Sequence, residues 1–121
     1  MNFNIRRGDI FYVKRSGYQV GSEQMAGRPA IVVSNDENNR HSETVEIVYL
    51  TTAPKTRLPT HVKIASAPRV STALCEQVTT VSVERLGDYT GRCTRDEMFQ
   101  IDIAIVNSVG IKIPELKRHL D

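Results

Sequence analysis

Gly21-Ser22-Glu23-Gln24, then Gly27-Arg28-Pro29, run straight into the apolar stretch Ala30-Ile31-Val32-Val33. This spacing fixes an arginine at the mouth of a rigid element. Pro29 restricts the residue before it to extended backbone. Gly21 and Gly27 permit a tight loop in which the main chain can approach a ligand closely. A guanidinium held there is always charged and can grip a phosphate through two hydrogen bonds. Solvated surface arginine is the plain alternative for the same dipeptide.

Charge supports a phosphate partner locally, not globally. The whole chain carries 16 Lys and Arg against 14 Asp and Glu, a net +2. From Val48 to Thr72, however, Lys55, Arg57, Lys63 and Arg69 stand with no acid, a local +4. Lys14, Arg15 and Arg28 against Glu23 add a further +2 around the first loop. If these two loops meet, they form a basic concavity in a nearly neutral protein, which suits a phosphate backbone. Left apart, the same cations are solvated.

Other chemistries find little footing. His41, His61 and His119 are scattered, with no second ligand three or four residues away, so no metal or cofactor is expected. His61 alternates with Lys63 and faces solvent or substrate. No nucleophile elbow, P-loop or dinucleotide fingerprint occurs. Glu23 and Glu76 could form a carboxylate pair, but nothing in the spacing sets their separation. Cys75 and Cys93 make no CxxC motif and are expected to be reduced thiols, Cys75 as a small buried hydrophobe. The N-terminus MNFNIRRGD has no apolar leader, and the apolar runs are too short to span a bilayer, so a cytoplasmic location is expected.

The elements that would position Arg28 are mostly strands. GDIFYVK over 8–14 suits a strand, as does PAIVVS over 29–34, buried on both faces. Residues 15–28 form a long loop between them. NDENNRHSE carries turn chemistry. TVEIVYLT alternates Val45, Ile47 and Tyr49 with Glu46, Val48 and Leu50. THVKIA supplies another strand after a Pro-rich loop, and 71–82 supplies two more around Glu76 and Gln77. The period then changes. Thr94 and Glu97 have capping-box spacing, Met98, Ile101, Ile105 and Val109 recur at helical spacing with Ile103 and Val106 widening the stripe, and Gly110 ends it. One domain is expected over 1–113, with a charged tail over 114–121. At 121 residues, 40% hydrophobic and 25% charged, the chain can bury one core. Five to seven short strands and one long helix suggest a small twisted β-barrel or half-barrel capped by the helix.

RGDIFYV, GSEQMAGRPAIVVSND, YLTT, LPTHV and ALCEQVTT follow one another in this order. Together they resemble the successive blocks of the MazF/PemK toxins of bacterial toxin–antitoxin systems, over residues 6–110. The GSEQ block with RP is specific, although it has one more residue between Gln and Arg than some relatives. LPTHV is more similar to the Gram-positive branch. The resemblance implies a mainly β, SH3-like barrel of the PemK/CcdB type with a C-terminal helix. It also implies a homodimer that cuts single-stranded RNA or mRNA without metal. A MazE-like antitoxin, with an acidic disordered C-terminal segment, would neutralise it by lying over the groove.

By the same resemblance the catalytic residues are Arg28 and Thr51, with Thr52 the neighbour an alignment slip would choose. Glu23 and Gln24, with Gly21 and Ser22, shape the binding surface. Lys55, Arg57, His61, Arg69 and Gln77 are grouped with them as RNA-binding residues, and bases are selected by 15–25 and 53–60. Of the aromatics, Tyr18 stacks on a base or packs within its loop. The chemistry agrees with this inventory. The RNA's own 2′-OH attacks the adjacent phosphate, giving a 2′,3′-cyclic phosphate and a 5′-OH. Arg28 would stabilise the dianionic phosphorane, and the Thr51 hydroxyl would donate to a nonbridging oxygen or place the 2′-OH. The general base is left open between His61, a carboxylate and none. Rival readings are a gyrase poison of the CcdB kind, a noncatalytic RNA-binding barrel, and a barrel whose motifs only pack.

Overall fold

The computed structural model describes residues 4–15 and 27–112. The elements run β1 (Asp9–Val13), β2 (Arg28–Val32), α1 (Asp36–His41), β3 (Thr44–Thr51), β4 (His61–Ile64), β5 (Ser71–Leu74), β6 (Thr79–Ser82), β7 (Leu86–Arg92) and α2 (Arg95–Val109). The strands form one mainly antiparallel sheet in the order β4-β5-β3-β2-β1-β7, with β6 also on β3. β3 is the organising strand. One edge pairs with β2, and the other changes partner along its length, from β6 at Thr44–Ile47 to β5 at Leu50–Thr51. A strand that changes partner in this way turns a corner in a coiled sheet.

Alternation along β3 divides the core between the two sheet faces. Val48 and Leu50 join Ile10, Ile31, Val62, Ile64 and Ala73, and Ile101 and Ala104 of α2 pack there. Val45 and Ile47 face the other way with Phe11, Val13, Ala30, Val32, Val81 and Leu86. The continuous apolar run of β2 is therefore buried on both faces, as expected.

The expected mainly β architecture with a C-terminal helix is present, and among the described residues the strand path ends at β4 and β7 without closing. Other expectations need correction. The segment read as turn contains α1: Asn35 accepts from Asn38 N at 2.8 Å as N-cap, and buried Asn39 donates to Ser34 O at 2.9 Å. Turn-forming residues here serve as cap and core of a helix, the other outcome of the same side-chain chemistry. β7, with its Gly and Asp residues, was not foreseen. It forms because β1 offers an edge, with register irregularities on either side of Phe11. In α2, Val109 is 59% exposed and leaves the stripe, while Ala104 is buried in the core. The helix carries its last turn past the sheet.

The foreseen capping box is present. Thr94 Oγ1 accepts from Glu97 N at 3.1 Å, and Glu97 Oε1 accepts from Thr94 N at 2.9 Å. Glu97 Oε2 also accepts from Ala65 N at 2.9 Å and Ser66 N at 3.2 Å, so one carboxylate ties α2 to the end of β4. Burial raises its pKa, but the donors at Thr94, Ser66 and Ala65 outweigh that and hold it below the ordinary 4.5. A lowered folded value means the stabilisation is complete above about pH 4.5 and is lost as pH falls through that lower value. Glu97→Ala is expected to cost about 2–4 kcal/mol, from the lost cap and the orphaned N–H groups. Urea unfolding at pH 7 checks the cost. A series from pH 6 to 3 should show stability falling more in the native chain than in Glu97→Gln.

Candidate functional site

Gly27 sets the entrance to β2. Its φ is +71°, and a Cβ built there would meet the Val13 carbonyl oxygen at 1.9 Å. Only glycine allows the chain to pass so close to β1 and then extend. Arg28 follows, paired with Val13 of β1. On the other side Ala30 pairs with Tyr49 of β3, and continuing that register by two residues brings Arg28 opposite Thr51. The β2–β3 pairs begin at Ala30, and Pro29 has no N–H to offer the ladder. That register directs Arg28 toward Thr51 where the ladder opens.

The register continues sideways. Thr51 pairs with Thr72 of β5, and Thr72 with Lys63 of β4. Directly opposed residues share a face. Arg28, Thr51, Thr72 and Lys63 therefore form a transverse row on the face away from α2. Tyr49 stands two residues back along β3 on that face, partly packed on the second apolar cluster. The Arg28 guanidinium carbon lies 4.5 Å from the Tyr49 ring centroid. This cation–π contact, about 0.5–2 kcal/mol, holds the guanidinium over the ring. Among the described residues Arg28 has no carboxylate partner, so its charge is not compensated there. Thr51 Oγ1 accepts from Ala53 N at 3.1 Å, which leaves its proton to donate.

The other expected site residues are spread around this row. Thr52, Lys55 and Arg57 are exposed on the connection from β3 to β4. Arg69 is exposed in the β4–β5 connection, where its carbonyl accepts from Ser71 Oγ at 2.7 Å. Gln77 is exposed, and its backbone closes the turn after β5 through Gln77 N to Leu74 O at 3.0 Å. His61 Nδ1 lies 2.8 Å from Thr56 O, and Nε2 lies 3.2 Å from Glu76 Oε2. Both nitrogens thus face acceptors, and the ring bridges the β3–β4 connection and the turn after β5. Burial opposes ionisation of Glu76, but its own N–H, His61 and Thr60 hold the carboxyl below the ordinary range. Tyr18, Gly21, Ser22, Glu23 and Gln24 lie outside the described residues, so the meeting of the two basic loops and the Glu23–Glu76 pair are not described either.

Sequence reasoning did not assign Tyr49, Thr72 or Lys63 to the site. The alternation of Tyr49 with Val48 and Leu50 was legible, but its partnership with Arg28 depends on the register between strands. Other blocks prove to be scaffold. Arg7 donates to Val33 O at 2.8 Å and pairs with Asp102, while buried Asp9 accepts from Arg92 at 2.6 Å. Both cysteines are buried, and burial first of all pushes their thiols up to about 12, so neither offers a thiolate at neutral pH.

Fold and site together define a small sheet-and-helix protein with a cation–hydroxyl row on one sheet face, a surface suited to an anionic polymer. The chain belongs to the PemK-like, MazF-like toxins of type II toxin–antitoxin systems, whose family pattern matches residues 6–109. It is 34% identical over 112 residues to the endoribonuclease MazF of Staphylococcus epidermidis, covering 88% of this chain and 92% of that protein. Its fold is similar to a solved endoribonuclease from a mycobacterial species, at a TM-score of 0.76 and 28% identity over 93% of this chain and 97% of the other. A second mycobacterial endoribonuclease, solved with its cognate antitoxin, has a TM-score of 0.76 and 32% identity over 91% and 99% of the two chains. Among the described residues, no helix is long and apolar enough to cross a membrane.

Proposed function

We propose that this toxin is a sequence-specific endoribonuclease that cuts single-stranded RNA through attack of the 2′-OH on the adjacent phosphate. The observation that carries the reading is the Arg28 guanidinium held over the Tyr49 ring, on a β2–β3 register whose continuation leads Arg28 toward Thr51. The attacking group is internal to the substrate, so the reaction needs no metal to supply a nucleophile. The enzyme must hold the 2′-oxygen in line with the leaving 5′-oxygen and stabilise the charge that builds on the phosphorane. Arg28 donates two parallel hydrogen bonds to the nonbridging oxygens, and Thr51 donates a third. Lys63 and the exposed Lys55, Arg57 and Arg69 hold the flanking phosphates. The products are a 2′,3′-cyclic phosphate and a 5′-OH.

The wider reading follows from the family. The sheet corresponds to an SH3-like barrel of the PemK/CcdB type, supported by the partner change along β3 and the apolar clusters on both faces. The toxin works as a cytoplasmic homodimer, where transcripts are its substrate. A MazE-like antitoxin lays an acidic, disordered segment over the cationic face; binding of an antitoxin is supported by the mycobacterial relative solved with its own. Residues 1–113 form the toxin domain and 114–121 a tail. A CcdB-like gyrase poison or a noncatalytic RNA-binding barrel is less favoured, because the Staphylococcus and mycobacterial relatives carry endoribonuclease names.

The deciding experiment is incubation of the purified chain on a long defined RNA with EDTA present, followed by mapping of new ends. Cuts at a recurring short sequence with 5′-OH termini support the reading. Intact RNA contradicts it, and growth arrest through gyrase would then favour the rival.

A further inference from the structure

The His61 side chain is only 10% exposed, yet both its ring nitrogens meet oxygens that can only accept. The bond to the Thr56 carbonyl requires a proton on Nδ1, and the bond to the Glu76 carboxylate requires one on Nε2. Either neutral tautomer would set a lone pair against an oxygen. Only the doubly protonated ring makes both contacts.

What this ring holds is the connection between β3 and β4. Residues 52–58 have no regular secondary structure. At one end Ala53 N bonds Thr51 Oγ1, and at the other His61 N bonds Leu58 O at 3.0 Å. Among the described residues, the stretch 54–57 between them is tied to the rest of the chain by the His61–Thr56 bond alone. That stretch carries Lys55 and Arg57.

We infer that His61 and Glu76 are positioning residues: the ring, oriented by Glu76, clasps Thr56 and so holds Lys55 and Arg57 in place for the phosphate backbone. The clasp stands on the chain's own geometry, whereas its use for RNA rests on the endoribonuclease reading. Cations on a fixed segment cost less ordering on binding than cations on a loose one, so the effect falls on KM. The surrounding charges are Glu76 on the turn after β5, Lys63 two residues along the same face of β4, and Lys55 and Arg57 on the connection itself. The apposed strand, β5, presents Leu74 and Thr72, without charge, and α2 packs on the opposite face. The clasp on Thr56 needs a proton on Nδ1 alone, and Glu76 fixes the ring from its other side.

Nuclear magnetic resonance on the full chain tests this without RNA. In the native protein the amides of 55–57 should have order parameters near about 0.8. In Glu76→Gln the side-chain amide can still meet Nε2, so the order persists. His61→Ala should fall to about 0.6 or below. On RNA, His61→Ala should raise KM about tenfold with kcat within about threefold, the pattern of lost uniform binding. Equal order at 55–57 in the native chain and His61→Ala would overturn the clasp. If no RNA is cut, the enzyme reading fails, and the resonance measurements still decide the clasp.

Discussion

Arg28→Ala is expected to slow RNA cleavage by about 10²–10³ or more, the usual cost of removing one donor aimed at a developing oxyanion. The variant should fold normally. Arg28 is exposed at the first residue of β2 and contributes its stacking on Tyr49 but no core volume. Loss of rate should appear in kcat, because the added negative charge exists only in the transition state. Arg28→Lys retains the charge but not the planar fork or the stack, so it should recover only part of the rate. Single-turnover cleavage of a mapped RNA checks both, with urea unfolding as the control for stability.

Gly27→Ala should be the most damaging Gly-to-Ala change among the described residues. The added Cβ would overlap the Val13 carbonyl oxygen, 1.9 Å away, and the left-handed backbone at φ +71° is already costly for any L side chain. Backbone cannot yield as a flexible side chain can, so β1 and β2 must separate or slip at their shared end. A loss of about 3 kcal/mol or more is expected, with a fall in Tm of about 10 °C. Cleavage should fall as well, because Arg28 is the next residue. Gly110→Ala is the contrast. Its φ is +75°, but nothing lies within 4 Å of the added carbon, so only the strain of about 1 kcal/mol remains. Thermal unfolding of the two variants side by side separates collision from strain.

Local signals were legible from the residues. The Thr94–Glu97 capping box, the doubly buried run of β2 and the alternation in β3 follow from residue type and period alone. The Gly27-Arg28-Pro29 step already indicated a fixed guanidinium, and family resemblance placed Thr51 with it. What stayed hidden depends on strands finding each other. β7 has Gly87, Asp88 and Gly91 within it and is a strand because β1 needs a neighbour. Asn35 and Asn39 have the composition of a turn, but burial of one amide and capping by the other favour helix. The row Arg28–Thr51–Thr72–Lys63 draws on four strands, and the Tyr49 stack and the His61–Glu76 contact cross elements in the same way. No spacing within one strand encodes these contacts.

The central claim is that Arg28 and Thr51 act together on one phosphate. A double-mutant cycle measures this directly, using Arg28→Ala, Thr51→Val and the two combined in single-turnover cleavage of one mapped RNA. Groups that work as a unit lose little more when both are removed than when the more important one is. The double variant should therefore cut within about threefold of the slower single variant. If the two losses instead multiply in full, or if Thr51→Val cuts at the native rate, the two side chains do not share a phosphate.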